Sequence, residues 1–171
     1  PRSLADNHRL MDVVRGSTKQ ILSNAANAEF TQAQGITSFD SDGFTVGTHN
    51  GLNNGTNTYV AWCWLADNTT GSSNTDGSIT STVSANTTAG FSIVEFTGTQ
   101  ENATVGHGLS KAPDFIFMHH RNSTGGWATF NSGLGATVNL DISTTGGTND
   151  EAEIWQDTVP SATLVTVGNT T

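Results

Sequence analysis

Apolar residues along this chain come in short bursts of β-branched and aromatic residues, set apart by clusters of Gly, Asn, Ser and Asp. That pattern is the mark of strands rather than helices. Ile36–Phe39 and Phe44–Val46 flank Asp40-Ser41-Asp42-Gly43, and an Asp-Gly pair tolerates the positive φ of a tight turn, so a hairpin is predicted here. The most apolar burst is Thr58–Leu65. As a strand it would place Tyr59, Ala61, Cys63 and Leu65 on one face and Val60, Trp62 and Trp64 on the other. Apolar on both faces, it is expected in the core, with Cys63 as a buried thiol. Further strands are predicted over 79–83, 91–97 and 114–120. Around 12–22 a helix and an extended segment are equally supported, because Gly16 and the β-branched neighbours oppose the helix. Residues 66–77 are polar and of low complexity, the pattern of a linker or long loop. Many short strands with frequent turn signals predict an all-β fold: an antiparallel β-sandwich or jelly roll.

The chain also resembles itself. An offset of 119 places Arg2 on Arg121, Met11 on Phe130, Asp12 on Asn131, Gly16 on Gly135, Ser17 on Ala136 and Thr18 on Thr137. Two residues more bring Phe44-Thr45-Val46-Gly47 onto Val165-Thr166-Val167-Gly168. The expected organisation is therefore a duplication out of phase with the chain ends. Residues 1–65 form the C-terminal part of a first sandwich repeat, 66–78 the linker, and 79–171 a second repeat lacking its last strand. Incomplete sheets leave open edges, which predicts pairing with a further copy or another protein. Pro1 at the start and the lack of a signal peptide fit a segment of something longer.

Composition narrows the class. Gly, Thr, Ser and Asn supply 79 of 171 residues, and 15 acidic side chains face 6 basic ones, for a net charge of −9. So few strong helix formers exclude a coiled coil or helical bundle, and the acidity argues against a nucleic-acid partner. No run of apolar residues is long enough for a membrane-spanning helix. Four tryptophans and eight phenylalanines are too many for a disordered chain.

Several strings are distinctive: Arg-Gly-Ser-Thr-Lys at 15–19, Thr-Ser-Phe-Asp-Ser-Asp-Gly-Phe-Thr-Val-Gly at 37–47, Tyr-Val-Ala-Trp-Cys-Trp at 59–64, Ser-Asn-Thr-Asp-Gly-Ser-Ile at 73–79, and Ala-Thr-Val-Gly-His-Gly-Leu at 103–109. In this order they resemble a repeat family of β-rich domains in structural proteins of marine tailed phages, described as tail-fibre-like or lectin-like. The resemblance implies a surface-exposed virion protein without enzymatic chemistry or cofactor. Its partners would be further copies, other virion proteins or a host-surface glycan.

Candidate chemistry is sparse. No Gly-x-Ser-x-Gly elbow is present, and Cys63 has no histidine nearby in sequence. Asp141, Asp150, Glu151, Glu153 and Asp157 could only act as a glycosidase pair if two of them faced each other, and solvated loop acids are the expected reading. A depolymerase therefore ranks behind a structural protein and a carbohydrate-binding adhesin. For the adhesin, Trp127 and Trp155 are the candidate sugar platforms, weighed against roles in the core. Asp40, Asp42 and Asp76 sit in oxygen-rich turns that could attract calcium, although Asx-turn chemistry accounts for them. His119 and His120 are adjacent in a predicted strand, so they point to opposite faces and cannot share a metal. His107, between two glycines, is expected to hydrogen-bond or pack within a turn.

Overall fold

A computed structural model describes residue 3, residues 5–143 and residues 148–169. The first part of the chain holds β1 (Arg9–Leu10), β2 (Lys19–Leu22), β3 (Phe30–Thr31), β4 (Ile36–Phe39) and β5 (Phe44–Val46). After a long irregular stretch come β6 (Ser72–Asn74), β7 (Ser81–Asn86), β8 (Phe91–Phe96), β9 (Ala103–Gly106) and β10 (Phe115–Met118). The chain continues with β11 (Ala128–Asn131), β12 (Val138–Leu140), β13 (Thr148–Asp150), the helical turn α1 (Ala152–Trp155) and β14 (Leu164–Val167). The fold is all-β. Its strands pair antiparallel in small sheets, ordered β1-β2-β3, β4-β5, β6-β7-β8, β9-β14, β10-β11 and β12-β13. No helix among the described residues is long and apolar enough to cross a membrane.

The core is lopsided. Its buried cluster, which includes Ile79, Val105, Phe130, Trp155, Val165 and Val167, lies wholly in the second part of the chain. Phe130 and Trp155 meet edge to face with centroids 6.0 Å apart, the arrangement that ring quadrupoles favour. Before residue 66 the buried apolar side chains are only Ile21, Leu22 and Ile36 among the described residues.

The two parts nevertheless repeat the same local structure. Gly16 N–H donates to Asp12 O at 3.0 Å, and 119 residues later Gly135 N–H donates to Asn131 O at 3.1 Å. Both glycines take the positive φ that this turn demands, +98° and +84°. β2 meets β3 as Lys19↔Thr31 and Gln20↔Phe30, while β12 meets β13 as Val138↔Asp150 and Asn139↔Asn149. Gln32 N–H to Thr18 O is matched by Glu151 N–H to Thr137 O. Beyond this point the offset becomes 121. The turn bond Asp40 N–H to Gly43 O has its counterpart in Ser161 N–H to Leu164 O. Gly47 N–H to Gly35 O likewise corresponds to Gly168 N–H to Ile154 O. The change of offset falls across α1 and the left-handed pair Gln156 and Asp157, φ +51° and +50°, where the first copy has β4 instead. Arg2, which the offset sets on Arg121, lies outside the described residues.

Elsewhere the outcome differs from expectation. Residues 12–22 are extended only at their end, where β2 follows the turn at Gly16. The polar stretch 66–77 contains β6, paired to β7 through Ser72↔Val83. The strand expected over 79–83 begins instead at Ser81, and Ile79 makes a single parallel bridge to Val105. Thr58–Leu65 forms no strand at all.

The two parts of the chain meet across a defined junction. Arg121 clasps the Glu29 carboxylate with two hydrogen bonds of 3.0 Å, Arg15 reaches the same carboxylate at 3.2 Å, and Arg121 also pairs with Glu95. Main-chain bonds Glu29 N–H to Arg121 O and Gly125 N–H to Ala26 O close the seam.

Candidate functional site

Residues 57–67 run between the two copies without a turn or a bend. The segment is pinned at both ends. Tyr59 Oη donates to Asn50 O at 3.1 Å and accepts from Asn54 N–H at 2.9 Å. At the far end Asp67 N–H donates to Ser84 Oγ, and the Ser84 hydroxyl donates back to the Asp67 carboxylate at 2.5 Å. The Ser84 and Thr69 hydroxyls lower the Asp67 pKa, keeping it a carboxylate. Between these anchors the main chain of residues 60–66 hydrogen-bonds to no other described residue. Trp62 is 74% exposed and Trp64 63%. Val60, Cys63 and Leu65 are exposed as well, and Trp64 keeps one partner, Phe91, stacked at 6.1 Å.

This overturns the placing of Trp62, Trp64 and Cys63 in the core. A strand apolar on both faces needs a neighbour on its edge and a layer on each side. The described residues give this segment neither. It is an exposed apolar stretch of the kind on which interaction sites are built.

A second open feature lies on β5. Its outer residues Phe44 and Val46 are exposed, as is Phe39, which pairs with Phe44 across the hairpin. β4 covers one edge of β5, and no strand among the described residues covers the other.

The two expected sugar platforms are interior. Trp127 and Trp155 are 3% and 1% exposed. Trp127 Nε1–H donates to Leu22 O and Ala25 O at 3.2 Å, and its ring packs against Phe117 and His119. Neither ring offers a face to a ligand, so the carbohydrate role assigned to Trp127 and Trp155 is replaced by a packing role. The turn acids are engaged in the turns themselves. Asp40 accepts from the Ser38 and Thr45 hydroxyls, and Asp76 accepts from the Asn74 amide. Asp42 is exposed at the tip of its turn, and no group of three His, Cys, Asp or Glu that could hold an ion occurs among the described residues.

One family matches over residues 1–171, described as "Domain of unknown function (DUF7483)". The chain belongs to this family. No curated protein and no solved structure matches it. In this DUF7483 chain two of the acids weighed for hydrolysis are hydrogen-bonded within the fold, while Asp150, Glu153 and Asp157 are exposed. Asp141 accepts from Trp127 N–H and from Ser143, and Glu151 accepts from the buried Asn139 amide at 3.0 Å. His107 is buried between Leu109 N–H, which donates to Nδ1, and Ser161 O, which Nε2–H reaches at 3.3 Å. Burial lowers its pKa against the weaker opposing pull of Ser161 and Asp76, so it stays neutral.

Sequence reasoning expected open edges without placing one on β5. The signal was present in the offset that puts Phe44–Gly47 on Val165–Gly168, but the strand covering the second copy is visible only in the structure.

Proposed function

We propose that this chain is a non-enzymatic structural module that assembles in many copies. In the setting its motif order implies, it is a tail-fibre or appendage domain of a phage particle. The observation that carries the reading is the exposed apolar segment Val60–Leu65, which has no charge and no strand partner in a chain of net charge −9. The hydrogen bonds that recur 119 to 121 residues apart support it, since a chain that docks two like units within itself can dock like units between molecules. Negative-stain microscopy of the native source tests it: copies at fixed, symmetric positions on a particle are expected.

The second reading is a glycan-binding module. It rests on the availability of Trp62 and Trp64, whose rings have the apolar faces that sugars stack on. Retention of free monomers on a polysaccharide column, lost on Trp62→Ala, would select it over the structural reading.

A further inference from the structure

Resting on the structural reading, we propose that Tyr59–Leu65 of one copy adds as a strand to the free edge of β5 in a second copy. The chain contains its own template for this contact. In the second repeat His107 N–H donates to Thr163 O, so by alternation the main-chain groups of Val165 and Val167 face β9, opposite Val105 and Ala103. The opposite edge of β14 holds the Ser161–Leu164 turn bond and the Gly168–Ile154 bond. The first repeat reproduces that second set through Asp40–Gly43 and Gly47–Gly35, so Gly43, Thr45 and Gly47 turn towards β4. Antiparallel alternation then points the N–H and C=O of Phe44 and Val46 outward. That is where β9 lies in the other repeat, and here no described strand occupies the place. Burial records the difference. Val165 and Val167 are 8% and 7% exposed, their counterparts Phe44 and Val46 38% and 37%.

The donor fits the acceptor. Set opposite β5 as β9 is set opposite β14, Cys63 faces Thr45, Trp62 faces Val46 and Trp64 faces Phe44. Trp62 and Trp64 then cover the apolar face that Phe44 and Val46 leave open. The two rings expose on the order of 300 Å² between them, a substantial part of the roughly 800 Å² per partner of a stable interface. Charge permits the approach. Residues 58–65 carry none. Residues 1–65, which hold β5, carry four basic against five acidic side chains, whereas 66–171 carry two against ten. The least acidic half thus offers the edge. Both ends of the donor are pinned to its own chain at Tyr59 and Asp67, and between them its main chain is unpaired among the described residues, with Trp64 stacked on Phe91. Because each copy gives one strand and takes one, the contact is head to tail and propagates to a ring or a filament.

The test uses the full chain and two variants: Trp62→Asp with Trp64→Asp in the donor, and Val46→Pro in the acceptor, which removes an N–H from the open edge. Sedimentation velocity is expected to show oligomers for the wild type and a 17.9 kDa monomer for each variant alone. An equimolar mixture of the variants should give a species of twice that mass, since one junction remains intact. Phe44→Asp, which leaves the backbone unchanged, replaces Val46→Pro if circular dichroism shows that variant unfolded. Oxidation of a Thr45→Cys chain should join the introduced thiol of one molecule to Cys63 of the next. A wild type that is monomeric at every concentration, a mixture that stays monomeric, or a disulfide from the introduced thiol to Cys63 within one chain would each overturn the proposal. Variants that assemble like the wild type would overturn this junction while leaving the structural reading in place. A monomer retained on polysaccharide would end that reading too.

Discussion

The worth of a tryptophan depends on what covers it, and here the contrast lies between Trp155 and Trp62. Trp155 is sealed against Phe130 in the core, so Trp155→Ala should cost about 3–5 kcal/mol in a denaturant titration. Trp62 stands in solvent, and Trp62→Ala should move stability by less than about 0.5 kcal/mol when measured on dilute monomer. His107 sets a second expectation. Its folded pKa lies below the ordinary 6.5 because it is buried, and its Nδ1 is already taken by Leu109 N–H. Protonation is therefore easier in the unfolded chain. Stability is full above about pH 6.5 and declines as the pH falls through the lowered folded value. Melting curves at pH 8 and pH 5.5 should show a larger drop for the wild type than for His107→Asn.

At the level of elements, the junction between repeats is the place where one charge matters most. Burial would raise the Glu29 carboxyl, but Arg121 and Arg15 outweigh it and hold its pKa below the usual 4.5. Glu29→Gln should cost about 1.5–3 kcal/mol in chemical denaturation, the range for a hydrogen bond to a charged group. The contribution is present above about pH 4.5 and disappears as acid protonates the folded carboxyl, so wild type and variant should converge in strong acid. How far such elements can be read from sequence follows from where their cause lies. The β4–β5 hairpin was legible because Asp42-Gly43 fixes the turn locally, and β10 because Phe115–Met118 is a run of large apolar residues. β6 was not legible, since Ser72–Asn74 is held by main-chain bonds to β7 and carries no side-chain signature. Thr58–Leu65 was read as core because the same apolar pattern describes a buried strand and an exposed segment. The buried Trp127 and Trp155 were left open between platform and core for a related reason: polar neighbours in sequence say little about neighbours in space.

For the molecule as a whole, the offset was legible in the sequence, and the matched hydrogen bonds give it a physical content. Its asymmetry was not legible, because burial of Val165 and exposure of Phe44 depend on whether a distant strand is present. The net charge of −9 adds an expectation for assembly. Copies of like charge repel over a Debye length of about 10 Å at 0.1 M salt, while the contact itself is apolar. Raising salt from about 0.02 to 0.3 M should therefore strengthen association, read as a fall in the dissociation constant by sedimentation equilibrium.

The run from Asn57 to Asp67 also has a mechanical side. A stretch without turns or bends stores little hidden length, because a chain at full extension reaches only about 3.3–3.6 Å per residue. Tension along the polypeptide would not be absorbed there. It would pass at once to the two tethers, the Tyr59 hydroxyl clasped by Asn50 and Asn54 and the Asp67–Ser84 pair rooted in β7. A fibre built from such units would behave as a stiff cord with little give, its load carried by the folded repeats on either side.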